Sequence, residues 1–244
     1  MSRSYRNPPV VEALCEVFFT GSEWDPAIPG LFYERVRKRF PGRGQRKDIQ
    51  VELTVGSGAP SSRTTQGEPR AEFWSEDRSR LVQVGRDLLV VNQLRPYPHF
   101  VDWRPIVLEM CHEYRGLANP ASIGRVTLRY LNRIPMPEAF KMETYFRVYP
   151  EVPAEIGGGH GAFLMRLELP TLHPSHQLIL TFGWASPEAD SKYALMLDLY
   201  DLAPITAADT FSGLAQTIDD AHANIERAFE GAITDDLRSR FGAG

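Results

Sequence analysis

The chain has 244 residues, of which 43% are hydrophobic and 24% are charged, and its formal net charge is −4. This composition is typical of a soluble globular protein, and the negative charge argues against general affinity for nucleic acids while leaving a local basic site open. No apolar run reaches the roughly 20 residues of a transmembrane helix. We therefore predict a cytoplasmic protein outside the membrane, whose two cysteines, Cys15 and Cys111, are buried free thiols.

The first half of the chain is predicted to contain several short strands and two helices. Pro8 and Pro9 predict a stiff lead-in to a strand at residues 10–19. Apolar residues at helical spacing predict helices over 29–40 and 101–117. Residues 56–69 are rich in Gly, Ser, Thr and Pro and are interpreted as a loop. The other predicted strands of this half are 49–55, 71–75, 80–84 and 88–94.

The second half shows a similar order of elements. A strand at 123–134 is followed by a short helix at 140–146, three strands at 162–169, 177–184 and 193–200, and a helix at 208–241 with a kink near residues 234–235. This order predicts an α+β fold in one domain, built of a duplicated strand–helix–strands–helix unit, approximately 1–120 and 121–244. Such units can join into a long curved antiparallel sheet with helices on one face, as in TATA-binding-protein-like and helix-grip folds.

The most distinctive polar pattern lies on the strand predicted at 123–134. Arg125, Arg129 and Arg133 share one face of it, because strand side chains alternate. One interpretation is a ladder of cross-strand ion pairs, for which Asp198 is a candidate partner. The other is a basic face that binds an anion such as a phosphate, a nucleotide, a nucleic-acid backbone or an acidic peptide. The candidate binding residues on this strand are Arg125, Arg129, Tyr130, Asn132 and Arg133.

Two carboxylates and three histidines are further candidates. Glu12 and Glu16 share a face of the first strand, which suits an acid/base pair or ion pairs with the arginines, and we favour the ion pairs. His173 and His176 are interpreted as solvated turn residues, since no further metal ligands follow at a recognised spacing. His222 falls on the buried face of the last helix and is expected to be a hydrogen-bonded core residue.

The common catalytic and nucleotide-binding motifs do not occur in the sequence. It has no P-loop, no Gly-x-Gly-x-x-Gly after a strand, no His-Glu-x-x-His and no Gly-x-Ser-x-Gly. We therefore predict no metal and no cofactor, and we lean towards a protein that is not an enzyme.

Several segments form a recognisable set: YRNPPVVEA at 5–13, VQVG at 82–85 with DLLVVN at 87–92, PYP at 96–98, LRYLNRI at 128–134, and His222 with FE at 229–230 and IT at 233–234. Together they resemble a sporadically distributed bacterial family of uncharacterised proteins of about this length. The resemblance brings no established activity and no catalytic residues. The patchy occurrence of the family is similar to that of genes in defence or toxin–antitoxin systems.

Three functional hypotheses follow. The first is a non-enzymatic binding or accessory module that recognises a macromolecular partner, either a protein or an anionic ligand such as a nucleotide or nucleic acid, on the face of the three arginines. The second is a small-molecule or nucleotide-processing enzyme with a pocket between sheet and helices, formed by Glu12, Glu16, Arg129, Tyr130 and Arg133. The third is a structural homodimer that uses the sheet face as its interface.

Overall fold

A computed structural model of the protein describes residues 5–46, 49–54, 61–66, 69–186, 188, 191–205 and 211–242. In chain order the strands are β1 (Val10–Thr20), β2 (Gly42–Arg46), β3 (Ile49–Thr54), β4 (Ser61–Gln66), β5 (Arg70–Trp74), β6 (Arg80–Gly85), β7 (Leu88–Leu94), β8 (Ser122–Met136), β9 (Leu164–Leu169), β10 (Gln177–Trp184) and β11 (Tyr193–Pro204). The helices are α1 (Ile28–Val36), α2 (Phe100–Ala118), α3 (Met142–Tyr145), α4 (Leu214–Ala232) and α5 (Asp235–Arg240), with a 3-10 turn at Ala154–Ile156.

Nine of the strands form one open antiparallel sheet in the order β2-β5-β6-β7-β1-β8-β11-β10-β9. The two strands that open the predicted halves, β1 and β8, therefore lie side by side at its centre. β3 and β4 pair with each other in a separate two-stranded sheet. The predicted α+β class with a large antiparallel sheet and a C-terminal helix is confirmed.

Alternation along β1 divides the sheet into a buried face and a more polar face. Ala13 and Cys15 are at most 1% exposed, whereas Glu12 and Glu16 point to the other side and are half-buried. Successive side chains of a strand point to opposite faces, so the same division continues into the paired strands β7 and β8.

The long helices pack on the buried face of the sheet. Tyr114 of α2 stacks on Phe19 of β1 with ring centroids 4.5 Å apart, and Phe32 of α1 stacks on Phe73 of β5 at 5.7 Å. α4 covers β8 and β11 with a stripe of buried residues at helical spacing: Leu214, Ile218, Ala221 and Ile225. None of the helices in the described parts of the chain combines the length and the apolar character of a membrane span.

Two strands, β2 and β4, lie in segments without a strand pattern in the sequence. β2 has the sequence GRGQR without any apolar alternation, and it pairs with β5 at the edge of the sheet. Its backbone runs so close to β5 that a Cβ at Gly42 would lie 3.0 Å from the Cβ of Trp74, which favours glycine. β4 lies within the predicted loop 56–69, so that part of the loop prediction is wrong; residues 55–60, 67 and 68 are outside the described residues.

The predicted C-terminal helix is two helices. α4 ends at Ala232, Ile233 is extended, and Thr234 caps α5 by accepting a hydrogen bond from the backbone N–H of Leu237. The predicted kink near residues 234–235 is thus a complete break. Residues 206–210, where the helix was predicted to begin, are outside the described residues, and α4 begins at Leu214.

A buried polar cluster connects β11, the turn before β10 and α4. Asp201 is fully buried, lies 2.7 Å from Nδ1 of His176 and accepts a hydrogen bond of 2.9 Å from the side-chain amide of Asn224. The prediction of a solvated His176 is therefore wrong, because the side chain is only 5% exposed and Asp201 supplies its partner. His173 remains 44% exposed and lies 3.3 Å from Asp220.

This cluster gives a test of stability. We expect Asp201→Ala to lower the free energy of unfolding by roughly 2–4 kcal/mol, because His176 and Asn224 would keep buried polar atoms without their partner. Asp220→Ala is the matched control, since it removes the carboxylate that faces the more exposed His173 and should cost less than about 1 kcal/mol. Urea denaturation measures the stability of both variants. Equal losses would contradict the role of Asp201 as the buried partner of His176 and Asn224.

Candidate functional site: a pocket between the helices and the sheet

A pocket of about 490 Å³ lies on the helix-covered side of the sheet, above its central strands. Tyr130 and Asn132 of β8 and Leu199 of β11 line the sheet side. α2 contributes the residues of its first turn, Phe100 and Val101. The volume falls within the range of small-molecule sites, about 300–1,000 Å³.

One face of α4 supplies another wall. His222, Ile225, Glu226, Phe229 and Glu230 line the pocket from this helix. Their spacing of three and four residues places them on one side of it. This side combines apolar packing with two carboxylates.

The chain segment before β1 closes the pocket on another side. Tyr5, Pro8 and Pro9 line it, and two backbone hydrogen bonds hold the segment: the N–H of Asn7 donates to the carbonyl of Phe241 at 2.9 Å, and the N–H of Arg133 donates to the carbonyl of Pro9 at 3.0 Å. Prolines keep such a segment extended, and they have no backbone N–H that would need an acceptor. The stiff lead-in predicted from the sequence is thus a wall of the pocket.

A chain of hydrogen bonds connects three polar side chains of the pocket. The hydroxyls of Tyr97 and Tyr130 are 2.8 Å apart, and the Tyr130 hydroxyl lies 3.3 Å from Nδ1 of His222. The imidazole of His222 also stacks on Phe100 with ring centroids 3.8 Å apart. The predicted hydrogen-bonded His222 is confirmed, and it lines a pocket rather than a closed core.

Burial keeps all three members of this chain uncharged at neutral pH. It lowers the pKa of His222 from its ordinary value of 6.5, against the opposing effect of the Glu226 and Asp219 carboxylates. It raises the pKa of Tyr97 and of Tyr130 well above the usual value of 10.0. The chain can therefore donate and accept hydrogen bonds, but it supplies no charge.

The two carboxylates of α4 differ in their surroundings. Glu230 accepts hydrogen bonds from the Tyr5 hydroxyl and from Nε of Arg238, the latter at 2.8 Å, so a cation already compensates its charge. Glu226 makes no hydrogen bond or ion pair with any described residue, although its charge acts on Tyr130 and His222. Glu226 is therefore the uncompensated acidic group of the pocket.

The residues predicted from the sequence fall on both sides of the sheet. Tyr130 and Asn132 line the pocket, whereas the face without helices carries Arg125, Arg129, Arg133, Glu12 and Glu16. Alternation along β8 and β1 makes this separation unavoidable. The structure therefore does not bring together the five residues of the predicted enzyme pocket.

The three arginines have different partners on the face without helices. Arg129 forms a bidentate ion pair with Asp198, at 2.8 and 2.6 Å, as the ladder interpretation expects. Arg133 is 3% exposed, and its Nε lies 3.2 Å from Glu188. The guanidinium of Arg125 lies 4.0 Å above the ring of Phe18 and makes no ion pair with any residue in the described ranges.

The expected ion pairs of Glu12 and Glu16 with these arginines are wrong for the described part of the chain. Glu16 accepts a hydrogen bond of 2.8 Å from Thr127, and Glu12 accepts one of 2.7 Å from Asn92. The register explains this, because Thr127 of β8 lies opposite Glu16, whereas Arg125 lies opposite Phe18 and Arg129 opposite Leu14.

Sequence reasoning missed Tyr97, Phe100, Glu226 and the role of the lead-in. One usable signal was the spacing of His222, Glu226 and Phe229, which places polar groups on an otherwise apolar helix face. No family model and no curated protein matches the chain.

The lowered pKa of His222 predicts how stability depends on pH. In the unfolded chain this histidine takes up a proton as the pH falls through about 6.5. In the folded protein its buried surroundings oppose protonation. The free energy of unfolding should therefore fall as the pH drops below about 6.5. Urea denaturation at about pH 7.5 and about pH 5.5 measures this. His222→Phe keeps a ring against Phe100, and its free energy of unfolding should fall less between the two pH values than that of wild type. His112→Phe changes an exposed histidine and is the control, which should lose as much stability as wild type. An equal loss of stability in His222→Phe and wild type would show that His222 is not the source of this pH dependence.

Proposed function

We propose that this protein is a non-enzymatic binding module that holds a small, mainly apolar ligand in the pocket between α2, α4 and the central strands. The observation that supports this is a concave site of about 490 Å³, whose apolar and aromatic walls surround the hydrogen-bonding chain of Tyr97, Tyr130 and His222. Apolar walls with a few convergent polar groups are the usual character of ligand sites.

The burial of both cysteines supports binding rather than catalysis. Cys15 and Cys111 are buried in the core, and burial raises the pKa of both thiols, that of Cys111 to about 12. The carboxylates Glu12 and Glu16, which the enzyme hypothesis needs, lie on the opposite face from the pocket. The neutral tyrosines and His222 suit recognition of a ligand's hydrogen-bonding groups.

Narrowing the pocket mouth tests this proposal. Val101 lines the pocket and is 73% exposed, so Val101→Trp should fold normally and place an indole across the opening. We expect a panel of neutral aromatic fragments headed by indole to bind wild type saturably in ligand-observed NMR, and the affinity to fall about tenfold or more in Val101→Trp, or roughly 1.4 kcal/mol.

Leu31→Trp is the matched control, since Leu31 is 52% exposed on α1 and does not line the pocket. It should leave the affinities unchanged. The proposal fails if no fragment binds saturably, or if both tryptophan variants bind every fragment as wild type does.

A second candidate function is docking of an acidic protein segment on the face without helices. Arg125 supports it, because this exposed guanidinium has an aromatic ring beneath it and no carboxylate partner within the described ranges. Arg129 adds a charge whose side chain is 40% exposed, although Asp198 compensates it. This keeps the predicted macromolecular partner, while the defence or toxin–antitoxin setting depends on the family resemblance alone.

The second candidate predicts a selective effect of Arg125. We expect a fluorescein-labelled peptide of glutamate and glycine to bind wild type at low salt, and Arg125→Ala to weaken binding about fivefold, or roughly 1 kcal/mol. Arg37→Ala removes the same charge from the residue that follows α1 and should have no effect. Equal weakening by both variants would indicate a mere net-charge effect, and preferential binding of a single-stranded oligonucleotide over the peptide would also overturn the choice of partner.

The strand order supports, as a further proposal, that the fold contains two equivalent units, as in TATA-binding-protein-like folds. From the central pair outward, one side reads β1, β7, β6, β5 and the other reads β8, β11, β10, β9. In each half the opening strand is paired with the last of three consecutive strands, and a long helix follows, α2 or α4. On this proposal the pocket lies where the two units meet.

A further inference from the structure

We infer that the ligand of this pocket carries a cationic nitrogen, an alkylated or protonated amine, attached to an apolar body. The inference rests on the proposed function of the pocket as a ligand site and concerns the charge of its occupant. It depends on three features of the lining: one uncompensated carboxylate, several aromatic rings, and the chain of Tyr97, Tyr130 and His222, which remains neutral.

The charge of Glu226 is the first feature. Its carboxylate lines the pocket and has neither an ion pair nor a hydrogen bond with any residue that the structure describes. The neighbouring Glu230 differs, because Arg238 and Tyr5 already satisfy it. A carboxylate beside apolar walls attracts a cation more strongly than one in water, since the local dielectric constant is lower.

The aromatic residues are the second feature. Of the 16 lining residues, five are phenylalanine or tyrosine, a share that suits a cation: Tyr5, Tyr97, Phe100, Tyr130 and Phe229. Aromatic rings attract cations through the negative charge of their faces, and several rings around one site recognise alkylated ammonium groups. Tyr97 and Tyr130 meet edge to face with centroids 5.6 Å apart, and Tyr5 and Phe229 do so at 6.1 Å.

The third feature disfavours an anion. The lining contains no lysine or arginine among the described residues, and burial holds His222 in its neutral form by lowering its pKa. Arg238, the nearest cation to Glu230, also bonds Asp235 at 2.6 Å and so is already neutralised. An anionic ligand would meet Glu226 without a compensating positive charge, whereas a cation would be paired.

Three ligands of nearly equal shape test the inference in the wild-type protein: benzyltrimethylammonium, the neutral (2,2-dimethylpropyl)benzene and the anion benzylsulfonate. Ligand-observed NMR titration should rank the cation tightest, about tenfold or more above the neutral compound, and the anion weakest. In Glu226→Gln the affinity for the cation should fall about tenfold while that for the neutral compound stays the same. Glu34→Gln, an exposed carboxylate of α1, is the matched control and should change neither affinity.

The outcomes separate this inference from the proposed function. If the neutral compound binds as tightly as the cation, or if Glu226→Gln leaves the cation's affinity unchanged, the inference is wrong while the pocket remains a ligand site. It is also wrong if neutral fragments bind and the cation does not. If neither the cation nor any neutral fragment binds saturably, the proposed function itself fails.

Discussion

The antiparallel pairing of β1 with β8 is the contact on which the rest of the structure depends. It joins the two halves of the chain at the centre of the sheet, from Val10 opposite Asn132 to Thr20 opposite Ser122. The pocket lies above this pair, because Tyr130 and Asn132 extend from β8 and the lead-in meets β1 at the same end. A slip of β8 by one residue in this register would turn Tyr130 and Asn132 away from the pocket and bring their neighbours in the chain to its wall.

Asn132 illustrates how the sheet supports the site. Its side-chain amide donates to the carbonyl of Leu197 in β11 at 3.0 Å, so it bonds to a neighbouring strand while lining the pocket. The Tyr97–Tyr130–His222 chain similarly joins the loop before α2, the sheet and α4. The polar groups of the pocket thus hold the surrounding elements together, and in the proposed function they also present hydrogen bonds to the ligand.

Much of the fold could be predicted from the sequence, because the central strands and long helices carry clear apolar periodicity. Leu88–Leu94 and Gln177–Trp184 are strands at the predicted residues. β2 could not be predicted, since an edge strand held by backbone pairing needs no apolar pattern. The contacts of Glu12 and Glu16 could not be predicted either, because they depend on which residues of β7 and β8 lie opposite these two glutamates.

The candidate site was less predictable than the fold. The sequence drew attention to its arginines, whereas the pocket is formed by residues from the lead-in, a proline-rich loop and two helices that are distant in the chain. Tyr130 and Asn132 were grouped with the arginines as candidate binding residues, and they lie on the other side of the sheet. Tyr97 and His222 are distant in the chain, and both reach the hydroxyl of Tyr130, a contact that no local pattern of residues predicts.

The alternation along β8 has a practical consequence for mutagenesis. Arg129 and Tyr130 are adjacent in the chain, yet one belongs to the face without helices and the other to the pocket. A proline or an insertion in β8 would disturb both surfaces at once, and the resulting phenotype could not be assigned to either. Side-chain substitutions at alternate positions of β8 keep the backbone intact, so each of the two surfaces can be altered without changing the other.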